Sequence, residues 1–191
     1  MSTQAKTFIT PEQYLEIERQ AEIKSEYWQG EMFAMSGAAE PHNRLTSNIS
    51  GQFYVQLRSS ACSHYSNDMR VRVTATGLYT YPDIVVVRSA PQLLDGRRDT
   101  LLNPTLIVEV LSPSTEAYDR GRKFEHYQSI DSLQQYLLVA SERMHADLFT
   151  RQPDGLWLLK AAGSPEDIIE LDSIGCRLTL RDTYERVEFS S

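Results

Sequence analysis

The amino-acid order predicts an α/β or α+β domain in which helices pack on a mixed β-sheet. The prediction rests on the order of the elements: a helix, a hairpin and a second helix come first, and strands with one further helix follow. The 191 residues suffice for one domain with a substantial core and are few for two. Because no internal repeat or Gly/Ser linker interrupts the chain, we expect residues 1–191 to form a single domain.

The first third of the chain contains the signals for two helices and a hairpin. Thr10 can cap a helix that begins at Pro11, because a threonine side chain accepts a hydrogen bond from the first helical turn. Gln29 and Gly30 separate two mixed apolar and polar runs, which is typical of a hairpin turn. A longer helix should begin at Pro41, since apolar residues then recur at every fourth position. These apolar residues are Leu45, Ile49, Phe53 and Leu57.

The rest of the chain is rich in strand patterns. Met69, Val71 and Val73 alternate with polar residues, so residues 62–74 should form a half-exposed strand. Two later runs, residues 81–89 and 104–112, are almost continuously apolar, which favours strands covered on both faces. The remaining elements are predicted as a helix in 112–130, a buried strand in 134–141, a hairpin in 144–162 with its turn at Pro153-Asp154-Gly155, and a last strand in 176–184.

The bulk composition excludes several classes of protein. No apolar run approaches the roughly 20 residues that a membrane span needs. The N-terminal residues lack the basic-then-apolar order of an export signal. Cys62 and Cys176 lie far apart without a Cys-x-x-Cys pattern, so we expect neither a disulfide framework nor a zinc site, and a cytoplasmic location. The net charge of −7 argues against a generic nucleic-acid coat protein, but it allows an enzyme whose acids are neutralised by metal ions.

Two carboxylates lie beside or within the strands that should be most deeply buried. Asp83 follows Pro82 at the start of the first apolar run, and Glu109 lies in the middle of the second. A buried carboxylate costs several kcal/mol unless a cation or hydrogen-bond donors meet it. If the two strands pair across the polar connection 90–103, both carboxylates reach the same place.

Two close carboxylates repel each other unless a divalent cation neutralises them. Mg²⁺ prefers oxygen ligands, uses one or two carboxylates and keeps several waters. We therefore predict that Asp83 and Glu109 bind Mg²⁺, with Mn²⁺ as a substitute and a backbone carbonyl next to Glu109 as a further ligand. Lys123 is the candidate cation beside the attacking water or the phosphate, and it shares a helix face with Asp119 and Tyr127 at a spacing of four residues.

Each of these residues also has a structural interpretation. Asp83 could be a turn-forming or strand-capping acid. Glu109 could form a buried ion pair with Lys123 or with Arg122, and a lysine on a helix surface is usually only solvated. The sequence leaves these alternatives open.

The motifs around the two acids resemble those of one protein family. "YPDIVVV" at 81–87, "PTLIVEVLSPST" at 104–115 and "YDRGRKFEHYQ" at 118–128 are similar to the Uma-type family of restriction-endonuclease-like proteins, within the PD-(D/E)xK nuclease superfamily. Upstream, "YWQGEMFAMSGAAEPHNRL" looks like that family's Gly-Glu hairpin and Pro-His helix start. Downstream, "QQYLLV" resembles its next core strand. The resemblance covers about residues 10–150.

The resemblance implies a restriction-endonuclease-like fold, a mixed core sheet flanked by helices, with an N-terminal hairpin and helix. It makes Asp83 the aspartate of the "PD" motif and Glu109 its "D/E" residue. Where the motif asks for lysine, this chain has Leu111. In the superfamily that lysine can migrate to the neighbouring helix, and Lys123 is suitably placed.

The resemblance also points to supporting residues. Superfamily members often place an acidic residue from an N-terminal helix at the active site, so Glu40 or His42 could serve there; a histidine at a helix start is often only a cap. Arg120 and Tyr127 could support the phosphate.

Two functions from different classes compete. The first is a Mg²⁺-dependent endonuclease that hydrolyses DNA phosphodiester bonds, in which the relocated Lys123 orients the water or stabilises the developing charge. The second is a catalytically inactive module of the same fold that binds nucleic acid or a protein partner. Metal-dependent chemistry on a phosphoester other than a nucleic acid is a third possibility, which the sequence does not distinguish from the first. Because duplex DNA has two strands to cut, a homodimer is also expected.

Overall fold

The structure, a computed structural model, describes residues 8–189, so the first seven and last two residues of the predicted domain lie outside it. The helices are α1 (Pro11–Glu18), α2 (Glu40–Leu57), α3 (Glu116–Tyr118), which runs through a π-helical segment (Asp119–Lys123) into α4 (Phe124–Gln128), and α5 (Leu180–Thr183). The first seven strands are β1 (Ser25–Trp28), β2 (Glu31–Ala34), β3 (Ser63–Ser66), β4 (Arg70–Val73), β5 (Leu78–Thr80), β6 (Ile84–Val87) and β7 (Thr100–Leu101). The others are β8 (Leu106–Leu111), β9 (Gln135–Ala140), β10 (Ala146–Arg151), β11 (Trp157–Ala162), β12 (Ile168–Leu171) and β13 (Cys176–Thr179).

The strands form a six-stranded sheet, a five-stranded sheet and a two-stranded ribbon. The six-stranded sheet has the order β11-β10-β9-β8-β6-β3, and the five-stranded sheet has the order β2-β1-β5-β4-β7. In the larger sheet β8 pairs parallel with β9 and antiparallel with β6, so the sheet is mixed. The predicted mixed sheet flanked by helices is therefore confirmed.

The six-stranded sheet has a hydrophobic cluster on each face, because β6 and β8 carry apolar residues on both. On one face Val86 and Val108 pack with the buried stripe of α2 and with β12 and β13. On the other face Val85 and Ile107 pack with α4 and with residues of the five-stranded sheet. This second face bears the functional site, because Glu109 lies two residues after Ile107 on β8 and therefore points to the same face.

Local patterns predicted the helices and turns at the beginning of the chain. Thr10 caps α1 in a reciprocal hydrogen-bond pair with Gln13. Both central residues of the β1–β2 turn, Gln29 and Gly30, have positive φ, of 48° and 86°. Such a turn matches the twist of a two-residue hairpin, and the register of the two strands confirms it. The predicted stripe of α2 is buried throughout.

Two predictions about strands were wrong. Residues 62–74 form two strands in different sheets, because the chain turns at Asn67, whose φ is 65°. The final predicted strand ends at Thr179, whose side chain accepts a hydrogen bond from Asp182 and so starts α5. In addition β12, the partner of the last strand, has no counterpart in the prediction.

Candidate active site

A cleft of about 1240 Å³ opens where the two large sheets meet the helix that follows β8. Its walls come from the β1–β2 hairpin, the start of α2, the ends of β6 and β8, and the turn that begins α3. The side chains in this cleft that bear on chemistry are Glu26, His42, Asp83, Glu109, Asp119 and Lys123. The three predicted catalytic residues, Asp83, Glu109 and Lys123, thus line one cleft.

The pairing of β6 with β8 places the two predicted metal ligands opposite each other. Ile84 pairs with Val108, so the next pair in this antiparallel register is Asp83 with Glu109. Val110 donates its backbone N–H to Asp83 Oδ2 at 2.7 Å. The backbone N–H of Asp83 in turn points to Glu109 Oε2 at 3.4 Å. The close approach expected of these acids is therefore present.

Lys123 reaches the same place from the helix. Its Nζ lies 2.8 Å from Glu109 Oε1 and 3.2 Å from Asp119 Oδ1. A third carboxylate, that of Glu26 on β1, is 3.5 Å away. Only 6% of the lysine side chain is exposed, so this is a buried charge among three acids rather than a solvated surface group. Leu111 is buried at the motif's usual lysine position.

Burial and neighbouring charge set the protonation of this cluster. Burial raises the pKa of Glu109 to about 8; the nearby Lys123 ammonium opposes the shift, and Asp119 and Asp83 add to it. For Lys123, burial favours the neutral form, but the carboxylates of Glu109 and Glu26 outweigh it and raise the pKa well above its ordinary value. The lysine therefore holds its proton at neutral pH.

Two further residues hold the acids in position. Tyr127 is fully buried and donates its hydroxyl to Glu109 Oε1 at 2.9 Å. Burial, and after it the adjacent Glu109 carboxylate, raises the pKa of Tyr127 well above its usual value, so the phenol remains a donor. His42 lies at the start of α2 with its Nε2 3.2 Å from Asp83 Oδ2. Tyr127 thus contacts a catalytic candidate, although we predicted that it would support the phosphate.

The π-helical segment lets one short helix present several groups to the cleft. A π-helical turn holds more residues than an α-helical turn, and such segments are frequent at functional sites. Asp119 and Lys123 are its first and last residues, and both are buried. The backbone carbonyl of Asp119 accepts a hydrogen bond from Tyr136 of β9 at 3.0 Å, which ties the segment to the sheet.

Two predicted supporting residues lie elsewhere. Glu40 is exposed and pairs with Arg44 one helical turn later, and it is not part of the cleft wall. Arg120 pairs with Glu116 at 2.7 Å and with Asp147 of β10 at 2.6 Å, and it is likewise absent from the cleft wall. Glu40 and Arg120 are therefore engaged in ion pairs outside the cleft.

One cleft residue was missed from the sequence. Glu26 contributes its carboxylate to Lys123 and accepts a hydrogen bond from Thr80 of the neighbouring strand. Its strand lies far from Lys123 in sequence and belongs to a different sheet from the strand of Glu109, so no local pattern could connect them. The adjacent Gly-Glu hairpin motif was the available signal, and it pointed to the hairpin rather than to this residue.

The free carboxylate oxygens in the cleft suit a hard divalent cation. Within residues 8–189, protein hydrogen bonds engage Oδ2 of Asp83 and leave Oδ1 without a protein partner. On Glu109, Lys123 and Tyr127 take Oε1, while Oε2 has only the long contact from a backbone N–H. In the described part of the chain no cluster of three or more His, Cys, Asp and Glu side chains is arranged as a metal site. Two carboxylate oxygens with water as the remaining ligands fit Mg²⁺, which keeps several waters.

No helix in residues 8–189 has the length and apolar character to cross a membrane.

Comparison with known proteins identifies the family of the chain. Residues 11–181 match the sequence model of the Uma2 family, described as "Putative restriction endonuclease". Two uncharacterized proteins from Synechocystis sp. are each 36% identical to the chain. One alignment covers 95% of this chain and 94% of the relative, and the other covers 79% and 85%.

A solved structure shares the fold. It is a crystal structure from Anabaena variabilis, titled as "a putative nuclease belonging to DUF820", with a TM-score of 0.77 and 16% sequence identity. The similarity covers 94% of this chain and 99% of the other. At this identity the likeness concerns the fold alone.

Proposed function

Because the chain belongs to the Uma2 family of restriction-endonuclease-like proteins, we propose that it is a Mg²⁺-dependent nuclease that hydrolyses DNA phosphodiester bonds in the cleft. One observation carries the proposal: Asp83 and Glu109 face each other across two paired strands, and a buried lysine ammonium lies beside them. The catalytic requirements of phosphodiester hydrolysis are an activated water and compensation for negative charge at phosphorus.

Asp83 and Glu109 would hold the metal ion through the oxygens that protein donors leave free. A bound divalent cation supplies Lewis-acid stabilisation of the phosphoryl oxygens and makes a nearby water more acidic. His42 and the N–H of Val110 fix Asp83 from one side, and Tyr127 fixes Glu109 from the other. Such fixed geometry is what positions reacting groups at low entropic cost.

Lys123 would act as a hydrogen-bond donor and a positive charge rather than as a base. Its raised pKa means that almost no free amine is present at neutral pH. An ammonium beside the carboxylate pair can orient the attacking water or offset the charge that develops at phosphorus. Asp119 and Glu26 share this ammonium, and they hold it at the cleft wall.

The test is a cleavage assay on supercoiled plasmid with Mg²⁺ or Mn²⁺, using the wild type, Glu109→Gln and Lys123→Met. Both substitutions nearly preserve side-chain volume. We expect each to lower the cleavage rate by about 10²-fold or more, as when one electrostatic stabiliser is removed from an active site.

The surface pair Glu166 and Arg181 supplies matched controls, because Glu166→Gln and Arg181→Met make the same chemical changes away from the cleft. These controls should cleave like the wild type. Cleavage that survives both cleft substitutions would remove this site from consideration. Metal-dependent DNA binding without any cleavage would instead support an inactive binding module.

A further inference from the structure

Arg122 occupies a separate place in the cleft from the catalytic candidates. It belongs to the π-helical segment, and its side chain is exposed on the cleft wall. Its guanidinium carbon lies over the indole ring of Trp28 on β1, 4.0 Å from the ring centroid, in a cation–π contact. His126, one helical turn later, meets the same indole edge-on, with centroids 5.4 Å apart. Two residues from the same stretch of helix therefore contact the indole.

The other cations of the cleft wall are already engaged by acids. Lys123 contacts three carboxylates. Lys24 lies 3.0 Å from Asp68. Within residues 8–189, no carboxylate forms an ion pair with Arg122, although Glu109 could have been its partner on sequence grounds. Arg122 is thus the one lysine or arginine on the described cleft wall whose charge is not matched by a carboxylate.

A stacked arginine is well suited to a phosphate. An aromatic ring against the face of a guanidinium leaves the in-plane N–H groups available. Those groups form the planar fork that pairs with two phosphate oxygens, whereas lysine acts as a point charge. Stacking also restricts the side chain before substrate arrives, which lowers the entropic cost of binding.

We propose that Arg122, held against the indole ring of Trp28, binds a backbone phosphate of the nucleic-acid substrate next to the scissile bond. The proposal rests on the proposed function and names a substrate contact for it. It also gives the hairpin a role, since β1 supplies the aromatic platform that orients the guanidinium. Arg120, the arginine expected to support the phosphate, is bound to Glu116 and Asp147 instead.

The test measures binding of a fluorescent DNA duplex at fixed Ca²⁺ over a series of KCl concentrations. Each phosphate contact that is lost reduces the slope of log K against log [salt] by about 0.9. We expect Arg122→Ala to show that reduction together with about a tenfold loss of affinity at low salt. Arg122→Lys should keep the slope and lose several-fold in affinity, because it keeps the charge without the fork. Trp28→Leu should behave like Arg122→Lys.

Arg181→Ala is the matched control, since it removes one positive charge outside the cleft. A slope for Arg122→Ala equal to that of Arg181→Ala would overturn the proposed contact, even where the wild type cleaves plasmid as expected. A wild type that neither binds nor cleaves DNA would overturn the nucleic-acid substrate itself. The two failures are therefore distinguishable.

Discussion

At Glu109, one carboxylate in the middle of an apolar strand receives hydrogen bonds from an ammonium and from a phenol. Its side chain is 4% exposed, so the desolvation cost is large and must be offset by those donors. Removal of the Lys123 ammonium would favour the protonated form of Glu109 further, because that charge opposes the upward shift of its pKa. Burial and the neighbouring acids Asp119 and Asp83 already favour the protonated form, and they raise the pKa of Glu109 to about 8.

This pKa predicts how stability depends on pH. The folded protein keeps a proton on Glu109 that the unfolded chain, at the ordinary value of 4.5, releases. The resulting stabilisation is fully present below about pH 4.5 and is lost as the pH rises through about 8. Glu109→Gln is uncharged at every pH. We therefore expect the wild-type free energy of unfolding, measured with urea in metal-free buffer, to fall relative to this variant between pH 5 and about pH 8.5.

Glu166→Gln is the control for that experiment, because Glu166 is exposed and hydrogen bonds from Ser164 and its neighbours lower its pKa. Its titration is complete below the measured range, so its stability should run parallel to that of the wild type. Parallel curves for Glu109→Gln as well would show that Glu109 does not change protonation there.

The catalytic candidates could be predicted because they lie in neighbouring segments of the sequence. Asp83 and Glu109 lie in two apolar runs that pair with each other, and Lys123 follows on the next helix. The supporting residues were harder. Arg120 and Glu40 each have a carboxylate or arginine partner four residues away, and sequence alone does not say whether a helical side chain turns to that partner or to the cleft.

At the scale of elements, the register of β6 and β8 sets the site. Side chains alternate between the two faces of a strand, so a slip of one residue would move Glu109 from the cleft to the opposite face, where α2 packs. The buried ion pair between Glu109 and Lys123 resists such a slip, because the slip would leave both charges without their partner. The π-helical segment is the other element that the site depends on, because it places Lys123 and Arg122 at different points of the same cleft.

That segment contains a glycine whose replacement tests its conformation. Gly121 has no positive φ, and a Cβ added there would meet no atom within 4 Å. Alanine restricts the unfolded chain more than glycine does, so Gly121→Ala should raise the free energy of unfolding by about 0.5–1 kcal/mol in urea denaturation.

Gly155 is the matched control, since its surroundings are equally open but its φ is +86°. Gly155→Ala should lower stability by about 1 kcal/mol, because alanine is strained in that region. A loss of stability at Gly121→Ala would mean that the π-helical segment needs glycine after all.

Elements defined by local periodicity were predicted well, and those defined by distant pairing were not. The apolar stripe of α2, from Leu45 to Leu57, can be recognised from the sequence of that helix alone. By contrast, whether residues 62–74 make one strand or two depends on which sheets are available to pair with them. The same holds for β12, whose partner β13 lies further along the chain.

At the scale of the whole molecule, the acidic balance of the chain shapes how a nucleic acid could be bound. The net charge of −7 repels phosphates, so attraction has to come from local groups and bound cations. The described cleft wall holds one arginine without a carboxylate partner and a carboxylate pair suited to a metal ion. We therefore expect long-range electrostatic steering to contribute little and the binding of nucleic acid to depend on divalent ions.

The homodimer stays a prediction at this scale. One chain brings together a single Asp83–Glu109 pair, and cutting both strands of a duplex calls for two such sites. We expect light scattering during size-exclusion chromatography to give twice the mass of one chain across a concentration series. A mass of one chain at every concentration, with and without duplex DNA, would contradict this.

The position of Lys123 between two sheets has a mechanical consequence. Glu26 belongs to the five-stranded sheet and Glu109 to the six-stranded sheet, and one ammonium group bridges them. The hairpin cannot swing outward without withdrawing an acceptor from that buried cation, an energetically costly step. The width of the cleft mouth is thus coupled to the charge inside the cleft. A change that neutralises Glu26 or displaces the Lys123 ammonium would also weaken the contact between the two sheets.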